Sequence, residues 1–193
     1  LDQLTEYFPL LLLFFIPAIT MGTWADERKL GTDELLFTMP ATDLEILLAK
    51  YLSVFAVYSV ALLFSMTHII VLMCLGNPDW GLLFTTYFGY LIAGGALISA
   101  GMLASILTSS MTVAFVIGIV ICSIPVFLGY VGEFTGYRDF FERLSLREQF
   151  RDFGMGVIPF TGLLYFLSFT TFMLYLNLVF MTKRHWSLSL IHI

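Results

Sequence analysis

The sequence describes an all-α integral membrane protein, a polytopic helix bundle, and three features say so. The 193 residues are 59% hydrophobic and 12% charged, with a mean hydropathy of +0.93, whereas soluble domains carry about 25% charged residues. The 9 Lys/Arg and 14 Asp/Glu are also segregated: they lie at 2 and 6, in 26–50, at 79, in 133–152 and at 183–184. Between them run uncharged windows of membrane length, because a helix rising about 1.5 Å per residue crosses a core of about 30 Å in about 20 residues. Tyr7–Ala25, Tyr51–Asn77 and Gly154–Thr182 each fit one span, and Trp80–Gly132 fits two. The expected spans are therefore roughly 8–24, 51–75, 82–107, 112–131 and 157–181.

The first span contains Pro9 and Pro17. Pro17 has no N–H and its ring crowds the preceding turn, which predicts a kink near Phe14–Ile16. A compact polar insert follows, over residues 25–49. Within it Gly31 ends one helical piece, and Thr32 or Asp33 can cap a short helix through Leu35, Leu36 and Met39 that Pro40 stops. Thr42 and Glu45 make a T-x-x-E capping box that starts the next helix. That helix should run through Lys50 into the second span, with the Lys50 ammonium snorkelling to the interface.

Gly76-Asn77-Pro78-Asp79-Trp80-Gly81 reads as a tight turn with Trp80 at interface depth. Gly94, Gly95, Ala96, Ala100 and Ala104 put small residues along the third span, where they let backbones approach closely in lipid. Thr108-Ser109-Ser110 turns the chain into the fourth. Residues 133–153 mix nine charges with aromatic and aliphatic side chains. Ser145 and Glu148 repeat the capping pattern, so two short helices should meet near Ser145, with Leu146, Phe150 and Phe153 on one face of the second. This pair should lie on, or dip into, the membrane surface.

Orientation is weakly encoded, with five Lys/Arg on the insert's side and four on the other. Arg28-Lys29 after the first span and Lys183-Arg184 after the last favour a cytoplasmic insert and an extracytoplasmic 133–153 pair. The net charge of −5 resides mainly in the loops, and no basic patch suggests nucleic acid. Cys74 and Cys122 sit in apolar windows without metal-ligand spacing and read as packing residues. No phosphate-cradling G-x-x-x-x-G-K-[ST], H-E-x-x-H or G-x-S-x-G occurs. No catalytic, cofactor or metal residue is assigned. His68 and Asn177 are expected to hydrogen-bond between helices.

Three stretches carry a family resemblance. Pro17-x-x-Thr20-Met21 is followed by Glu27-Arg28-x-x-Gly31-Thr32-x-Glu34-Leu35-Leu36-x-x-x-Pro40 and Lys50. Gln149-Phe150-x-x-Phe153-x-x-Gly156-Val157-Ile158 leads to Leu164-Tyr165-Phe166-Leu167-Ser168, and the last span ends in Lys183-Arg184-His185-Trp186. Together they resemble type-2 ABC-transporter permeases of the gliding-motility-associated subgroup. Gly22 and Asp26 depart from that subgroup's usual basic residue and Glu.

The resemblance implies the type-2 ABC exporter permease fold, with six spans where five are present, and a bacterial cytoplasmic membrane location. It implies a separate ABC ATPase subunit that binds the ATP and Mg, and a second permease copy or paralogue. Glu27, Arg28, Gly31, Thr32, Glu34, Leu35, Leu36, Pro40 and Lys50 would then form the ATPase-coupling interface, with lipid around the spans. An ATPase-driven assembly or motility component without a translocated substrate, and a secondary transporter, are the alternatives. The chain is expected to be a fragment of one permease domain over 1–187, lacking the first helix. Leu188–Ile193 matches what a sequencing adapter encodes in one frame, and is set apart.

Overall fold

The computed structural model describes residues 2–32, 40–76 and 79–189. Among these, the regular elements are helices: α1 (Asp2–Thr20), α2 (Gly22–Leu30), α3 (Asp43–Ser65), α4 (Thr67–Leu75), α5 (Trp80–Ile106), α6 (Met111–Thr135), α7 (Arg138–Leu144), α8 (Leu146–Gly154) and α9 (Phe160–Ser189). Five stretches are long and apolar enough to span a membrane: Tyr7–Leu30, Asp43–Cys74, Trp80–Ile106, Met111–Gly132 and Phe160–Lys183.

The helix α1 continues through Pro9 and Pro17. The change of element comes at Met21, four residues beyond Pro17, whose carbonyl accepts the Met21 N–H at 2.9 Å. The kink expected near Phe14–Ile16 does not interrupt the helix, because Pro17 removes only its own N–H while its C=O still serves Met21. The helix α2 ends where predicted. Gly31 has a φ of 69°, a left-handed conformation that glycine adopts without Cβ strain. The Thr32 N–H reaches Glu27 O at 3.0 Å and the Gly31 N–H reaches Arg28 O at 3.4 Å, which closes the Schellman pattern.

The helix α3 begins with the predicted capping box. The Thr42 N–H donates to Glu45 Oε2 at 2.8 Å and the Glu45 N–H donates to Thr42 Oγ1 at 3.4 Å. The chain then passes through Lys50 without a break and changes element at Met66. Asn77 and Pro78 of the expected turn lie outside the described residues. Asp79 Oδ1 beyond them caps α5 by accepting from the N–H groups of Gly81 and Leu82 at 2.9 and 3.3 Å.

The helix α5 is the axis of the bundle, packed against α1, α2, α3, α6, α8 and α9. Its apolar window is 89% buried, against 17% for that of α3 and 11% for that of α9. The small residues explain this proximity. A Cβ on Gly94 would stand 2.2 Å from the Tyr58 ring, and one on Gly101 would stand 2.4 Å from Thr20 Oγ1. Asn177 on α9 donates to Ser99 O at 3.0 Å, which joins α9 to α5. His68 stands 3.1 Å from the Tyr87 hydroxyl, joining α4 to α5. Cys122 packs in the core, whereas Cys74 is exposed, so the expected packing role holds for only one of the two.

The α7–α8 pair folds back into one end of the bundle. Leu146, Phe150 and Phe153 are buried together, and Phe150, Tyr90 and Phe8 form a stack linking α8, α5 and α1. The helices meet at Ser145, but its side chain does not cap α8. Ser145 faces Gly129 of α6 and is buried, while Glu148 pairs loosely with Arg151 at 3.7 Å. Burial against α6 overrides the local capping preference.

Candidate functional site

At the opposite end from α7–α8, α2 crosses beneath the end of α5 and the start of α3. The side chains that hold it come from three distant parts of the sequence. Ser105 accepts from the backbone N–H groups of Trp24 and Ala25 at 3.0 and 3.1 Å and donates to Met21 O at 2.8 Å. The first turn of a helix lacks internal partners for its N–H groups, so this hydroxyl supplies an acceptor there. One serine therefore pins the whole α1–α2 elbow to α5.

Arg28 donates to Ile106 O at the end of α5. A cation is favoured there by the unpaired carbonyls and the helix dipole. From α3, Lys50 Nζ reaches Thr23 O at 2.8 Å and Glu27 Oε1 at 2.5 Å, and it lies 4.7 Å from the centre of the Trp24 ring. The Lys50 ammonium, expected to snorkel to the interface, is held by α2, where a carboxylate, a carbonyl and an aromatic face converge on it. Its side chain keeps 16% exposure and that of Glu27 keeps 30%. The pair is therefore shielded but not dry.

The predicted site residues are thus distributed on two levels. Glu27 and Arg28 face the bundle, and Lys50 meets Glu27 from α3. Gly31 and Thr32 form the exposed end of α2, together with Lys29 and Leu30. Pro40 is exposed just ahead of α3. Glu34, Leu35 and Leu36 lie outside the described residues, as does Met39. Trp24 and Ser105 complete the site and were not anticipated. Trp24 stands one helical turn before Arg28, which is a usable hint, whereas nothing local marks Ser105 among the apolar residues of its span.

Two buried atoms here, Trp24 Nε1 and Glu27 Oε2, make no hydrogen bond among the described residues. Such groups cost stability, so the network is held at a sacrifice. The arrangement joins an exposed helix end to three membrane helices.

At the far end of the same α9 that packs on α5, Thr182 donates to Asp43 Oδ2 at 3.2 Å. The last span is therefore tied to the start of α3 on this same side. No curated protein and no solved structure matches the chain. The family model described as ABC-2 family transporter protein matches residues 2–142, well over half of the chain and all of α1 to α6. With five apolar spans and this match, the protein belongs to the ABC-2 family and is a multi-pass membrane permease component of an ABC transporter.

Proposed function

We propose that this permease couples ATP hydrolysis by a separate ATPase subunit to substrate export across the bacterial cytoplasmic membrane. It does so alongside a second permease copy or paralogue. The observation that carries the reading is the three-way attachment of α2: to α5 through Ser105 and Arg28, to α3 through Lys50, and to α1 by direct continuation. A partner pushing on the exposed Lys29–Thr32 end would move a rigid arm, and Gly31 bounds that arm.

Leu35, Leu36 and Met39 supply an apolar docking face from the sequence beyond Gly31, and Glu34 supplies an orienting charge. Such charges set register and association rate more than affinity. Closure of the ATPase dimer would displace α2 and tilt α1 and α3 against α5, changing access to the path between permeases. The ATPase holds the ATP and Mg and performs the chemistry. The gliding-motility-associated subgroup is supported by the motif around Glu27–Pro40, the Gln149–Ser168 stretch and the Lys183–Trp186 ending.

The test is co-purification of the membrane-extracted protein with an ATPase bearing a phosphate-cradling loop. Capture that is lost in Glu34→Lys or Leu35→Ala, with the permease still inserted, supports the docking face. Capture unaffected by both moves the interface elsewhere, and no capture by intact protein overturns the coupling reading.

A further inference from the structure

The end of the bundle remote from α2 carries a cavity of about 210 Å³ between α6 and the α7–α8 pair. A single water needs only about 10–15 Å³ on this measure, so the cavity can admit a polar group of several atoms. Among the described residues its charged lining is balanced: Arg138 and Arg147 face Glu142 and Glu148. Arg138 Nε pairs with Glu142 Oε1 at 2.5 Å, Arg147 bonds the Tyr130 hydroxyl and lies 5.3 Å from its ring centre, and Glu148 pairs loosely with Arg151. Ser145 also lines the cavity. It is 1% exposed, and its hydroxyl makes no hydrogen bond among the described residues.

A second cleft of about 100 Å³ shares Val126, Tyr130 and Arg147 with this cavity and continues along Pro9, Leu10 and Phe127. Charges resume in the sequence at Glu6 and Glu133, so the polar cavity lies toward the membrane surface, and the more apolar cleft adjoins it along α1 and α6. A polar cavity adjoining an apolar cleft matches the two parts of a membrane lipid. A purely anionic head would face two carboxylates, and a purely cationic one two guanidiniums. A zwitterion answers both.

We propose that this cavity seats the headgroup of a zwitterionic phospholipid bearing a primary ammonium. Its phosphate lies at Arg147 and Ser145, its ammonium at Glu142 and Glu148, and an acyl chain follows the Pro9–Leu10–Phe127 cleft. Guanidinium suits phosphate geometry, and the phosphate oxygen gives the Ser145 hydroxyl the acceptor that the chain does not provide. The site does not depend on ATPase docking, so a permease that binds no ATPase still holds the lipid.

The experiment is native mass spectrometry of the full chain with equal amounts of phosphatidylethanolamine and phosphatidylglycerol of matched acyl chains. Phosphatidylethanolamine should be retained preferentially. Arg147→Ala should weaken its retention about tenfold, as loss of a charge-assisted hydrogen bond would. Ser145→Ala is the safeguard against misfolding: it should lower retention while leaving the melting temperature in lipid-free detergent unchanged or higher. Equal retention of the two lipids, a preference for phosphatidylglycerol, or retention untouched by Ser145→Ala overturns the assignment.

Discussion

Lys50 Nζ and Glu27 Oε1 stand 2.5 Å apart although 23 residues separate them in sequence, and this contact ties α2 to α3. Lys50 also takes Thr23 O and covers the Trp24 ring. Removing its ammonium therefore leaves a shielded carboxylate and a carbonyl without their donor. Lys50→Ala should destabilise the protein by about 2 kcal/mol, the scale of a hydrogen bond to a charged group. Thermal unfolding in detergent checks this. The swap Glu27→Lys with Lys50→Glu should recover part of the loss, and a double variant as unstable as both singles summed would argue against direct pairing.

Ser105→Ala removes one hydroxyl but disturbs three backbone groups, those of Met21, Trp24 and Ala25. Each buried group left unsatisfied costs about 1–3 kcal/mol before relaxation, so a loss of about 2 kcal/mol is the expected net result. Hydrogen exchange gives the sharper measure: the Trp24 and Ala25 amides should exchange faster while those in the middle of α5 stay protected.

Gly94→Ala places a methyl 2.2 Å from the Tyr58 ring. Overpacking of this kind costs about 1–3 kcal/mol. Tyr58→Phe loses only the hydrogen bond to Tyr90 O, 2.7 Å long, at about 1 kcal/mol. Gly94→Ala should therefore be the worse of the two by thermal unfolding, and Gly94→Ala with Tyr58→Ala should be milder than the sum of the singles.

The two S/T-x-x-E patterns should respond differently to alanine. Thr42→Ala breaks a formed capping box and should cost about 1 kcal/mol. Ser145→Ala in lipid-free detergent should cost nothing, since that hydroxyl caps no helix. Comparing the two melting temperatures decides the matter.

These contrasts mark where the sequence is readable. Long uncharged windows located the spans because lipid leaves a helix little other choice of composition. Gly31 and the Thr42–Glu45 box set helix ends correctly because both act within one turn of chain. The face shared by Leu146, Phe150 and Phe153 followed from helical periodicity. Ser145 failed as a cap because tertiary burial outweighed a local preference, and the partners of Lys50 went unread because they are its neighbours only in space. Ser105 was invisible for the same reason, lying 84 residues from the carbonyl it binds. Contacts made across the bundle leave no periodic trace.

The central place of α5 also bears on how the protein is made. The spans emerge in chain order, so α1 and α3 enter the bilayer before the helix that both must pack against. Until α5 follows them, Thr20 and Tyr58 have no Gly101 or Gly94 to receive them, and α2 has no Ser105 to seize it. Before α5 enters, the polar insert is held from α3 alone, through Lys50. Completion of the third span is the event that converts an inserted chain into an assembled one.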